Sequence, residues 1–96
     1  MDKNEMIAAH DFCVSHNVEM SFLYSLSESG LVQITTIDEQ VYINEDQLPG
    51  LERWVRLHYD LDINIEGLEA IHHLLEQMKQ MEEEMERLRR ESGVGK

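Results

Sequence analysis

Apolar residues change their spacing several times along this chain, and each change marks an element. Phe22, Leu23 and Leu26 recur at three and four, the spacing of one helix face, which predicts a helix from about Glu19 to Ser29. Gly30 comes next, where a left-handed residue closes such a helix. An earlier helix is expected near Ala9 to His16 with Phe12 and Cys13 turned inward, ended by His16-Asn17 because Asn tolerates left-handed backbone. Met6 and Ile7 read as a short strand or as the lead-in to that helix. From Leu31 to Ile43 the chain is rich in Val, Ile, Thr and Tyr, broken by Asp38-Glu39, which predicts a two-stranded hairpin. Asn44 and Gln47 have the spacing of a capping box. Pro49-Gly50 interrupts the helix that Asn44 would open, so a first turn at 45 to 48 and a kinked or restarted helix from about 49 to 59 are expected. Leu51, Trp54, Val55, Leu57 and Tyr59 give that helix its apolar side.

After the connector Leu61-Asp62-Ile63, Asn64 is a fair N-cap for a last helix near Ile65 to Glu91. Ile65, Leu68, Ile71 and Leu75 can pack on the small domain. Ile71, Leu74, Met78, Met81, Met85 and Leu88 step alternately by three and four, a heptad seam that predicts a homodimer. Glu83 to Arg87 and Glu86 to Arg90 are spaced for helical ion pairs. The expected organisation is a winged helix-turn-helix domain over 1–64, a dimerisation helix over 65–91 and a loose tail over 92–96. The fold class is mainly α, with a small β-hairpin wing.

A winged helix-turn-helix ordinarily serves DNA, its second helix entering the major groove. Charge contradicts that use here. The formal net charge is −12, and residues 1–50 hold one base, Lys3, against nine acids. Between residues 18 and 48 there is no Lys or Arg, whereas duplex binding rests on cations neutralising phosphates. Glu19, Glu28, Asp38, Glu39, Glu45 and Asp46 occupy that stretch instead, so the fitting ligand is a basic protein surface.

Other chemistry finds little support. His10, Cys13 and His16 diverge around a helix, adjacent His72 and His73 cannot face one ion, and no HExxH pattern exists, so no metal and no cofactor is expected. No nucleophile motif or glycine-rich phosphate loop suggests an enzyme. One cysteine excludes an internal disulfide and fits a reducing compartment. No apolar run reaches the roughly 18 residues of a membrane span, and the start lacks the pattern of a signal peptide, so a cytoplasmic location is expected. Arg53 and Arg56 flank Trp54. They either pair with neighbouring acids and cover its ring or meet an acidic spot on a partner.

Residues 18 to 51 resemble the MerR-type DNA-binding domain. Val18 and Leu23 begin and fill the second helix, Ser29-Gly30-Leu31-Val32 is similar to its glycine-leucine exit, and Asn44-Glu45-Asp46-Gln47-Leu48 to the opening of its third helix. The departures fall where that family touches DNA: Ser21, Tyr24, Ser25 and Leu26 stand in place of an Arg-Tyr-Tyr-like stretch, and Gln40-Val41 replaces the wing arginine. Asp11-Phe12-Cys13, Arg53-Trp54-Val55-Arg56-Leu57, Asp60-Leu61-Asp62-Ile63-Asn64 and Gly67-Leu68, with the long last helix, more closely resemble the CbpM chaperone-modulator family.

That second resemblance implies a MerR-like winged domain acting on protein. The implied function is a non-enzymatic regulator that binds a DnaJ/CbpA-like J-domain co-chaperone and inhibits its cooperation with Hsp70 (DnaK). J-domains of the family's partners carry a basic helix, which an acidic module would cover. Glu19, Glu28, Asp38 and Glu39 are the expected partner contacts, with Arg53 and Arg56 as further candidates. The alternative is a MerR-family DNA-binding transcriptional regulator using Lys3, Arg53, Arg56 and dimer symmetry.

Overall fold

The computed structural model describes residues 5–93; Met1 to Asn4, including Lys3, and Val94 to Lys96 of the expected tail lie outside the described residues. Strand β1 (Met6–Ala8) leads directly into α1 (Ala9–His16), succeeded by α2 (Met20–Glu28), β2 (Ile34–Ile37) and β3 (Gln40–Asn44). A 3-10 turn (Glu45–Gln47) then feeds α3 (Leu48–Leu61), and α4 (Ile65–Ser92) completes the chain.

Local residue chemistry sets most of these boundaries. Asn17 ends α1 in left-handed backbone with φ 61, and its N–H returns to the carbonyls of Cys13 and Val14. Gly30 takes φ 79 after α2, where the missing Cβ removes the steric penalty. Pro49 stands in the first turn of α3, where a proline has no helical N–H to lose, so the helix restarts there, after the 3-10 turn, and continues unbroken to Leu61. Asn64 caps α4: its Oδ1 accepts the Gly67 N–H at 2.8 Å.

The sheet has three strands in the order β1-β3-β2, both pairings antiparallel. The expected two-stranded hairpin is thus one edge of a larger sheet. Ile43 sits at its centre, paired with Ile7 on one side and Ile34 on the other, and is wholly buried. β1 is short and its partner is far away in sequence, which leaves its pairing unmarked by any local pattern.

Asn44 and Gln47 correct the capping-box expectation. The Asn44 side chain makes no cap hydrogen bond, and its Oδ1 is buried without a partner. Gln47 turns the other way, its Oε1 accepting the Gln33 N–H at 3.1 Å and so pinning the loop before β2. The Glu45 N–H donates to the Glu5 carbonyl at 2.8 Å, continuing the β1 pairing past the strand's end.

The core lies between the helices and the sheet. Phe12 and Cys13 of α1, Phe22, Leu23 and Leu26 of α2, Leu51 and Trp54 of α3, and Leu68 of α4 are all buried in it. Trp54 ties three segments together: its Nε1–H donates to the Leu31 carbonyl at 3.2 Å, and its ring meets His72 edge-on. Ile65 and Ile71 complete the seat of α4, while Leu75, expected to pack there too, lies outside the core cluster and is 36% exposed. The rest of α4 projects away. The radius of gyration is 17.0 Å, against about 13 Å for a compact chain of this length.

Candidate functional site

Helix α2 and the β2–β3 wing form the face that a winged helix-turn-helix presents to a ligand. Phe22, Leu23 and Leu26 point inward, so Ser21, Tyr24 and Glu28 are left exposed on α2. Gln33, Thr36, Ile37 and Gln40 are exposed along the wing. No cation lies on either element. The face is hydroxyl-rich, amide-rich and acidic.

Asp38 and Glu39 form the wing tip. Both take left-handed backbone, φ 51 and φ 66, the conformation of a two-residue turn whose twist suits a hairpin. Both are exposed. Glu19 precedes the first residue of α2, at the opposite end from Glu28, and its side chain makes no cap hydrogen bond. Nine residues of helix put those two carboxylates about 13 Å apart along the axis, so the expected acids of α2 do not converge on one point. The Glu19 carboxylate accepts the Ser21 hydroxyl at 3.3 Å, and the Glu19 N–H donates to the Tyr59 hydroxyl at 3.2 Å.

Arg53 and Arg56 lie on α3, off this face, and both are exposed. The expected pairing with neighbouring acids does not occur: among the described residues neither arginine comes within 4 Å of a carboxylate. Glu52, one turn before Arg56, turns toward His16 instead, with its Oε2 3.6 Å from Nε2. Trp54 itself is buried in the core.

A second surface was not foreseen. His16, Asn17, Glu52, Val55, Arg56, Tyr59 and Asp60 line a cleft between α1 and α3. A neighbouring cleft, bordered by His10, Val14, Val18, Glu19 and Met20, shares Asn17 and Tyr59 with it, so the two adjoin at those residues and together make a groove. These residues come from two separated stretches, 10–20 and 52–60, and only Val14, off the Phe12 and Cys13 side of a short helix, offered a signal in the sequence. Beneath the groove, Cys13 sets its Sγ 3.4 Å from Met20 Sδ, and burial pushes its thiol pKa up. His58 stacks on Phe22 at 4.2 Å, and because a carbonyl only accepts, its Nδ1 carries the proton shared with the Ile63 carbonyl at 2.8 Å. Among the described residues no three His, Cys, Asp or Glu side chains gather as a metal site.

The third surface is the seam of α4. Ile71 is half-buried on the domain, whereas Leu74, Met78, Met81, Met85 and Leu88 are each at least half exposed. Arg87 pairs with Glu84 at 2.6 Å and Glu91 at 2.9 Å, not with the expected Glu83, and Arg90 reaches Glu86 at 3.8 Å. Glu84 and then Glu91 hold the Arg87 pKa above its ordinary value. No described helix is long and apolar enough to cross a membrane.

This arrangement of helix, turn, helix, hairpin and long terminal helix defines a winged helix-turn-helix regulatory protein. The model of the family described as MerR HTH family regulatory protein matches residues 7–90, and the chain belongs to that family. No curated protein and no solved structure matches the chain.

Proposed function

We propose that this chain is a non-enzymatic regulator that acts by binding protein rather than DNA. Its partner on this reading is a DnaJ/CbpA-like J-domain co-chaperone, whose cooperation with Hsp70 (DnaK) it inhibits by covering the co-chaperone's basic surface. One observation carries the reading. The helix and wing that would meet the phosphate backbone hold no Lys or Arg between residues 18 and 48, and the wing tip is Asp38-Glu39. A duplex with one negative charge per ~1.7 Å of axis repels such a face. The same carboxylates attract a cationic one and speed its approach. The short motifs shared with the CbpM family, from Asp11-Phe12-Cys13 to Gly67-Leu68, supply the particular partner class. The chain works in the cytoplasm as a homodimer, whose seam is the exposed stripe Leu74 to Leu88 continued from Ile71.

DNA-binding transcriptional regulation is the second reading, favoured by the family match over residues 7–90. It has to draw on Arg53 and Arg56, which stand on α3 and not on α2 or the wing. Lys3 lies outside the described residues.

Immobilised full-length chain offered a purified J-domain co-chaperone and mixed-sequence duplex DNA, in parallel and over a salt series, separates the two. Retention of the co-chaperone, weakening with salt, together with lost stimulation of Hsp70 ATPase, is the expected result. Tight DNA binding with a steep salt slope and no hold on the co-chaperone overturns it.

A further inference from the structure

The groove between α1 and α3 exposes apolar surface that the fold does not use. Val14 is 66% exposed and Tyr59 44% exposed; half-buried Met20 lines the cleft with both, and half-buried Val55 lines the adjoining cleft with Tyr59. Acids border this strip: Glu19 at the α2 end, Glu52 and Asp60 along α3. Glu52, Arg56 and Asp60 are four residues apart in turn and share one helix face. Arg56 still has no carboxylate within 4 Å among the described residues.

The walls decide the form of the occupant. They are two helices and the turn between α1 and α2, and no sheet edge opens onto them. An extended peptide would find no backbone ladder there, whereas a helix satisfies its own N–H and C=O groups and needs none, which favours a helix as the occupant. Half-exposed Tyr59 is already oriented, its hydroxyl held by the Glu19 N–H and its ring set edge-on to Phe22 at 5.5 Å. A large side chain fixed in advance loses little entropy on contact, which is what an interface anchor requires.

We propose that this groove seats an amphipathic helix of a basic partner protein. Apolar side chains at three-and-four spacing rest on Val14, Val55 and Tyr59, and Lys or Arg on either flank meets Glu19, Glu52 and Asp60. One carboxylate of the occupant answers Arg56 and fixes the register. The inference rests on the proposed function only in needing a basic protein partner, and it adds the groove as a docking surface separate from the α2–wing edge.

The test is an amide-shift titration of the full chain with two synthetic helical peptides, one with Leu along one face and Lys on both flanks, the other with Glu replacing Lys. Val14→Lys serves as the variant, since an exposed helical site accepts it without loss of fold, as far-UV spectra check. The Lys peptide is expected to give saturable shifts at Val14, Asn17 and Tyr59, the Glu peptide none, and Val14→Lys to weaken binding at least ~10-fold. Shifts that never saturate, or that map to Glu28, Asp38 and Glu39, overturn the proposal. So do shifts that appear with the chain's own concentration, which would put a second copy's α4, ending in Leu88 with Arg87, Arg89 and Arg90, in the groove. A purified J-domain separates the two readings. Equal binding to wild type and Val14→Lys sinks the groove and spares the co-chaperone reading; a saturable Lys peptide with an unbound J-domain does the reverse.

Discussion

Two glycines inside helices should respond in opposite directions to the same added methyl group. At Gly67, in the first turn of α4, an ideal Cβ would stand 2.6 Å from Ile63 Cγ2 and 3.2 Å from Asn64 Oδ1. Neither neighbour yields easily. Ile63 is half-buried against the core and β-branched, so its methyl moves only by turning χ1, at about 1 kcal/mol for an off-rotamer angle. Asn64 Oδ1 is the acceptor that caps the helix. Alanine brings back ~1 kcal/mol of helix propensity. Against that stand ~1 kcal/mol for a disturbed cap and ~1–3 kcal/mol for overpacking. Gly67→Ala should therefore destabilise by about 1–3 kcal/mol, the overpacking range itself, since propensity and cap cancel. At Gly50, in the first turn of α3, an added Cβ meets nothing within 4 Å. Gly50→Ala should then stabilise by about 0.5–1 kcal/mol. Thermal unfolding monitored by far-UV circular dichroism, at one fixed protomer concentration, reads both. With ~4–8 °C per kcal/mol for a domain of this size, Gly50→Ala rises by a few degrees and Gly67→Ala falls by roughly 5–20 °C. A Gly67→Ala protein melting at or above wild type would show that the close approach of Ile63 does not constrain this turn.

Met81→Glu places a charge at the middle of the exposed α4 stripe, and sedimentation should find monomers while the domain's melting transition survives. A chain that stays dimeric would show that this stripe does not join the subunits. Burial raises the Cys13 thiol pKa, so the folded state keeps that proton to higher pH than the unfolded chain. The resulting stability is complete at neutral pH and lost as pH rises through the alkaline range, and the alkaline fall in Tm should be smaller in Cys13→Ala than in wild type. Trp54→Phe removes the donor to the Leu31 carbonyl and should cost ~1–3 kcal/mol in urea unfolding, with little change in m.

What the sequence disclosed about the fold was whatever neighbouring residues decide. The left-handed stop at Asn17, the glycine exit at Gly30, the inward face of α2 and the Asn64 cap each depend on a few adjacent positions, and each stands where the pattern placed it. A strand at Met6 and Ile7 is one of two readings of that stretch, but its pairing escaped because the partner strand lies far along the chain. The capping box at Asn44 failed for a related reason: the Gln47 amide had a competing acceptor role toward Gln33, fourteen residues away and invisible to local spacing. Arg87 chose Glu84 and Glu91 over Glu83 because i,i+3 and i,i+4 partners compete on an acid-rich helix. Of the candidate site, the cation-free α2 and wing were legible from composition alone. The groove was not, because Val14, Asn17, Val55 and Tyr59 meet only once α1 packs beside α3.

Asn-Gly closes a hairpin of this kind with no side chain to crowd the backbone, yet here two carboxylate-bearing residues are bent into the same mirror-image geometry. Relief of order 1–2 kcal/mol is available from relaxing them, and it would come with the loss of both charges that project farthest from the sheet. Stiffening the hairpin and keeping its field are thus opposed demands on the same two codons. An engineer seeking a tougher version of this chain should look elsewhere first.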